Sequence, residues 1–295
     1  MSNKSYIYSS ALILVIIAAF LMISSTEEEP KPVKPKIVAI DIPATLEFAG
    51  EDVPLEESDI RERLDREMLI NAYWQSNTVY LMKLANRYFP VIEPILKEEG
   101  VPDDFKYLAL AESGLQNVVS PSAAAGVWQF LKATGKEYGL EINNEVDERY
   151  HLEKATHAAC KYLKKTKKDV GSWTLAAASF NSGLSRLKRL MKTQQEDSYY
   201  DLYMTAETSR YVFRIVALKT IFSNPEKFGF YIDKKDMFAR LLYKEVAIDS
   251  TINDLPTFAK LNGTNYKTFK QLNPWLKQPF LKNLSHKTYS LRLPQ

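Results

Sequence analysis

What most restricts the fold of this chain is the texture of residues 60–228. Apolar residues recur there at three- and four-residue intervals almost without a break, and no run alternates as a strand would. Ile60–Tyr73, Thr78–Glu98, Asp104–Ser113, Ala124–Glu137, Leu152–Lys167, Trp173–Ser182, Leu184–Lys192 and Tyr203–Phe222 each read as a helix. Gly100, Gly114, Gly139, Gly171 and Gly183 punctuate them, at positions where helices stop easily. The pattern predicts one all-α domain over residues 58–228. After Asn224-Pro225 the texture changes. Tyr243–Asp249 and Lys287–Pro294 alternate with period two, and Leu255–Lys260 and Tyr266–Leu272 between them look helical. Strand, helix, helix, strand in that order predicts a small separate α+β module over residues 235–295.

The N-terminal stretch has a different character. Residues 11–23 are an uninterrupted apolar run preceded by Lys4, which marks residues 1–26 as a signal peptide or membrane anchor. No Cys follows the run, so a lipid-modified Cys anchor is excluded, and no clean cleavage site is present, so the reading leans to an anchor that is kept. Residues 27–57, rich in Pro and Glu, read as an extended linker. The rest of the chain is then expected outside the cytoplasm, in the periplasm or cell envelope.

Composition removes several classes of function. A net charge of +3 over 295 residues gives no case for nucleic acid as a partner. There is no Walker loop, no GxGxxG and no HExxH, and His151 and His157 are badly spaced for one helix face, so neither a cofactor nor a metal is expected. The single Cys160 sits among small apolar residues and reads as core rather than nucleophile. The basic runs Lys161–Lys168 and Arg186–Lys192 read as solvated helix faces, with contact to anionic wall polymers as the alternative.

One carboxyl stands out. Phe105, Leu108, Ala109 and Glu112 fall at i, i+3, i+4 and i+7, so Glu112 lies on an apolar stripe, and Ser113-Gly114 places it in the last turn. Burial and the negative end of the helix dipole both oppose its ionisation, and a carboxyl protonated near neutrality is what a general acid requires. The plainer alternative is a Glu that snorkels out of the helix end or pairs with a buried Arg. Three further patches carry polar or aromatic groups among small residues: Ala124–Phe130 with Trp128 and Gln129, Ala178–Gly183 with Asn181, and Glu207–Val212 with Tyr211. Amides and aromatic faces suit sugars. Taken singly, Trp128 and Tyr211 also read as core, Asn181 as a cap, and Glu207 as a favourable charge at a helix start.

Taken together and in order, Glu112-Ser113, the Ala-Ala-Gly-x-Trp-Gln-Phe stretch ending at Phe130, Val146–Arg149, Ser179–Gly183 and Glu207-Thr208-x-x-Tyr211-Val212 resemble the lytic murein transglycosylases with a soluble-lytic-transglycosylase, goose-lysozyme-like domain. The resemblance implies an all-α lysozyme-like catalytic domain that acts on peptidoglycan glycan strands. It implies cleavage of the β-1,4 bond between N-acetylmuramic acid and N-acetylglucosamine with 1,6-anhydro ends. Glu112 would act first as acid and then as base, Ser113 would orient it, Gln129 and Asn181 would hold the glycan with Trp128 in support, and the Tyr211 hydroxyl would lie near Glu112. Where the family usually has Ala-Tyr-Asn-Ala-Gly, this chain has Ser179-Phe180-Asn181-Ser182-Gly183, and Val127 stands for the more usual Leu. The C-terminal module resembles, more weakly, the βααβ LysM unit that binds glycans containing N-acetylglucosamine, with Asp249-Ser250-Thr251 in place of the usual Gly-Asp-Thr turn. Two alternatives stand beside this reading: a muramidase-type hydrolase on the same fold, with Glu207 or Asp147 as second carboxylate, and a non-catalytic peptidoglycan-binding protein. Action on chitin-type glycans is a third.

Overall fold

The computed structural model describes residues 38–295. The expected signal peptide or anchor over residues 1–26, and the linker as far as residue 37, lie outside the described residues. Residues 40–295 form one compact unit. Its helices are α1 (Ser58–Tyr73), α2 (Gln75–Glu98), α3 (Phe105–Ser113), α4 (Lys132–Glu137), α5 (Leu152–Val170), α6 (Trp173–Ser182), α7 (Leu184–Gln194), α8 (Ala206–Ser223), α9 (Leu255–Leu261) and α10 (Tyr266–Leu272). The strands are β1 (Glu47–Phe48), β2 (Glu51–Asp52), β3 (Tyr243–Ile248) and β4 (Tyr289–Pro294).

The helical core is a set of facing apolar stripes. Ile60, Leu64 and Met68 of α1 meet the α8 face that carries Val212, Ile215 and Val216. Ala155, Ala158, Ala159 and Cys160 give α5 a face of small residues, which lets Ala176–Ala178 of α6 pack close. Burial pushes the Cys160 thiol up to about 12, so it stays protonated and unreactive.

Two sequence expectations need correction. Residues 40–57 are not part of an extended linker. β1 and β2 pair antiparallel, and Phe48 at their turn is fully buried, with its ring 5.3 Å from that of Phe105. The Glu51 carboxylate accepts from the Trp173 and Thr174 amides at 2.6 and 2.8 Å, and so caps the start of α6 from afar. Glu51, one of the acids that suggested a solvated tether, is instead bound to backbone donors. The second correction concerns Ala124–Glu137, where only Lys132–Glu137 is helical. Ala125 bridges both Val119 and Phe130, forming a tight loop in which Gly126 has φ +79°. A Cβ on Gly126 would lie 1.8 Å from the Arg149 carbonyl oxygen, so the close approach requires glycine. Arg149 fastens this loop by donating to the Ala123 and Phe130 carbonyls, each at 3.0 Å, while the buried Asp147 carboxylate takes its remaining N–H groups at 2.7 and 2.9 Å.

The C-terminal segment has the order β3-α9-α10-β4, with β3 and β4 antiparallel from Tyr243↔Pro294 to Ile248↔Tyr289. Its core of Leu255, Phe269, Trp275, Leu276, Leu291 and Leu293 also takes in Val146 from the helical part. The loop around Val146 adds the Asp147 N–H to the Trp275 carbonyl at 2.8 Å, the Lys277 N–H to the Glu145 carbonyl at 2.7 Å, and the Tyr289 hydroxyl to Glu141 at 2.8 Å. The module is therefore docked on the helical part, within the same compact unit.

One ion pair at this junction has a consequence for pH. Burial pushes the Glu153 carboxyl up, but His151 at 3.2 Å and Arg292 at 2.6 Å outweigh it and bring it down to about 2. A carboxyl held low in the folded chain stabilises it above the ordinary value of 4.5, and that contribution is lost as pH falls towards 2. The urea midpoint of the native chain is expected to fall across this window by the equivalent of about 2 kcal/mol, whereas Glu153→Gln, less stable at neutral pH, shows a flatter profile. Equal slopes for the two chains would refute the pairing.

Candidate active site

The short helix α3 ends where Gly114 adopts φ 61° and its N–H returns to the Leu110 carbonyl at 2.9 Å. That stop puts Glu112 in the last turn, on the floor of an open groove. The junction of α1 and α2 forms one wall with Trp74, which is 60% exposed; Gln116 and Val118 form another, and Arg210 and Arg214 of α8 a third. Burial pushes the Glu112 carboxyl up from 4.5 to about 7, against the lowering effects of a hydrogen bond from Tyr211 and the charge of Arg214, with Glu207 adding a little to the rise. At neutral pH the group is thus poised between acid and base forms.

Tyr211 is buried on α8, and its hydroxyl donates to Glu112 Oε1. Burial raises the phenol itself well above its ordinary value, so it remains a donor throughout the useful pH range. Among the described residues the Ser113 hydroxyl bonds to backbone carbonyls rather than to the carboxyl. It donates to the Val127 carbonyl at 2.7 Å and ties the end of α3 to the Ala125–Phe130 loop. Gln129 sits at φ 48°, and its side-chain amide donates to the Val118 and Gly126 carbonyls at 3.0 and 2.7 Å. The donors expected to hold glycan are therefore taken up in holding the loop. Trp128 is fully buried, and its indole N–H donates to Thr156 Oγ1 at 2.9 Å. It supports the site from below and offers no face to a sugar. Asn181 bridges α6 to α8: its amide donates to Glu207 Oε1 at 3.1 Å and its carbonyl accepts from Thr208 Oγ1 at 2.9 Å.

Phe180 fills a ring cluster, with centroids 5.2 Å from Tyr162, 5.8 Å from Phe130 and 6.3 Å from Trp128. The Tyr162 hydroxyl in that cluster contacts the Ser179 carbonyl at 3.1 Å. Three groove residues were not singled out from the sequence. Glu67, only 1% exposed, sits on the core-facing stripe of α1 with Ile60, Leu64 and Met68, and receives Arg210 Nε at 2.6 Å and Arg214 Nε at 3.9 Å. A carboxylate at such a position needs a cationic partner, and two arginines four apart beside Tyr211 are the matching signal.

Comparison with known proteins bears on this arrangement. Residues 89–202 match the family model of the transglycosylase SLT domain, and residues 244–295 match that of the soluble lytic transglycosylase C-terminal LysM-like domain. Over 231 residues the chain is 26% identical to the membrane-bound lytic murein transglycosylase D of Escherichia coli strain K12, a match that covers 75% of this chain and 50% of the relative. The protein of the same name from Escherichia coli O6:H1 matches to the same extent. The chain spans about half the length of the curated relatives it matches. Glu112, Ser113, Trp128, Gln129 and Asn181 fall within the SLT match, while Tyr211 lies beyond its end.

Proposed function

We propose that this chain is a peptidoglycan lytic transglycosylase, cleaving the β-1,4 bond between N-acetylmuramic acid and N-acetylglucosamine and leaving 1,6-anhydro ends. The observation that carries the reading is one carboxyl, Glu112, pushed up by burial to about 7 on the floor of an open groove with the Tyr211 hydroxyl as its hydrogen-bond partner. The protonated form gives its proton to the glycosidic oxygen as the bond breaks. The resulting carboxylate then takes the proton of the muramic acid 6-hydroxyl, which closes on C1 of the same sugar. The nucleophile is already attached, so its effective concentration is high and no activated water is needed.

A hydrolase of the ordinary kind needs a second carboxylate to attack the sugar or to activate water. Asp147 is poorly suited to that task, being buried and bound to Arg149 through both of its oxygens. Glu207 accepts from Asn181 and is the group a hydrolytic reading would have to use. Mass analysis of products from purified peptidoglycan tests the choice: anhydromuramyl ends are expected, and reducing muramic ends would sink the lytic reading. The LysM-like module would add glycan contact beside the groove, and its docked position would carry it along with the catalytic part. Placement in the cell envelope, through the apolar run at residues 11–23 as signal peptide or anchor, belongs to the same proposal.

A further inference from the structure

The acid–base chemistry above leaves one feature of the groove without a task. Glu67 is a single buried carboxylate facing two guanidinium groups. Arg210 donates to it from Nε at 2.6 Å. Arg214, one turn further along α8, has its Nε 3.9 Å from the other oxygen, beyond hydrogen-bond reach. Its side chain is 36% exposed, and among the described residues its guanidinium makes no hydrogen bond. Two positive charges against one negative charge leave this trio with a surplus of one. Burial pushes Glu112 towards its neutral form, and Glu207 takes its hydrogen bond from Asn181 rather than from Arg214. All three members line the groove that holds Glu112.

We infer that Arg214 is a specificity-determining residue that receives a carboxylate of the saccharide lying across Glu112. The inference rests on the function proposed above and names what the groove reads on its substrate. A flat guanidinium with its fork open matches a carboxylate by two parallel charge-assisted hydrogen bonds, a geometry that neutral hydroxyls and N-acetyl groups do not reproduce. Two sources offer that chemistry. The lactyl group of muramic acid carries a free carboxylate when no peptide is attached. When a stem peptide is attached, that carboxyl becomes an amide and the peptide supplies its own carboxylates. Oligosaccharides of N-acetylglucosamine alone carry none.

Binding separates this inference from the catalytic reading. In the full chain with Glu112→Gln, so that ligands stay intact, calorimetry is run with peptide-free strands, peptide-bearing strands, peptide-free strands methyl-esterified at the lactyl group, and N-acetylglucosamine oligosaccharides. Adding Arg214→Gln is expected to weaken binding of at least one carboxylate-bearing strand by roughly tenfold to a hundredfold, with reduced salt dependence, and to leave the neutral oligosaccharide unchanged. The strand that suffers identifies the source, and esterification removes the effect where the lactyl group is that source. Arg214→Lys keeps the charge without the fork and should lose less, which also supplies a folded variant if Gln at this position unfolds the chain. Equal affinities with and without Arg214 for every carboxylate-bearing strand overturn the inference alone. Failure of the Glu112→Gln chain to bind any peptidoglycan strand overturns both readings.

Discussion

Glu112→Gln is expected to lower the release of soluble products from purified peptidoglycan by about a thousandfold or more, and at the same time to make the folded chain more stable at about pH 8. The two effects have one cause. Gln keeps the shape and can still accept from Tyr211, but it has no proton of suitable acidity to give and no carboxylate to take one back. General acid or base assistance is commonly worth about a hundredfold to ten-thousandfold, and here one side chain is asked to perform both steps. Stability moves the other way because the raised carboxyl is a liability of the native state. Unfolded, the group ionises near 4.5; folded, it holds its proton up to about 7. Stability is therefore lost as pH rises from 4.5 to 7, reaches its full deficit above that, and is undiminished below 4.5. A neutral isostere escapes the deficit, of order 3 kcal/mol. Thermal melting of the two chains should diverge in favour of the variant as pH rises through this window. An inactive variant with no gain in stability would mean that Glu112 is not held as a buried acid.

That pairing also explains why so much of the site could be read from the sequence, and where the reading stopped. Glu112 on an apolar stripe before Ser-Gly already implies a buried carboxyl at a helix end, because helical periodicity and a glycine stop are local properties. The helices from α1 to α8 and the β3-α9-α10-β4 order are legible for the same reason. What escaped depends on partners far away in the chain. Glu51 looks like a linker acid until the start of α6, more than a hundred residues later, is found on its carboxylate. Ala124–Phe130 has helix-compatible residues, and the contacts that hold it as a loop, Val119 against Ala125 and the Arg149 carbonyl against Gly126, are not visible in the run itself. Trp128 and Gln129 are picked out by their motif, yet the motif is silent on direction. The indole faces Thr156 and the amide faces its own loop, so both serve the platform under Glu112. Glu67 and its arginines form a pair only once α1 lies on α8, and no local pattern encodes that crossing.

Tyr211→Phe is expected to reduce turnover at neutral pH by about tenfold to a hundredfold and to displace the pH–rate profile towards alkali. The Tyr211 hydroxyl donates to Glu112 and favours its ionised form, offsetting part of the rise that burial causes. Without it the carboxyl moves further up, the acid form persists to higher pH, and the group gives its proton to the glycosidic oxygen less readily. A charge-assisted hydrogen bond of this kind is worth about 1.5–3 kcal/mol, which sets the size of the loss. Among the described residues no neighbouring phenol is free to take over. Phe180 has no hydroxyl, its ring is packed among Trp128, Phe130 and Tyr162, and the Tyr162 hydroxyl is engaged by Ser179. The direction of the pH displacement is the decisive measurement. A loss of turnover with an unmoved profile would assign Tyr211 to packing or substrate contact. A profile moved to alkali would mean that the Tyr211 hydroxyl tunes, against burial, the proton affinity on which both halves of the reaction depend.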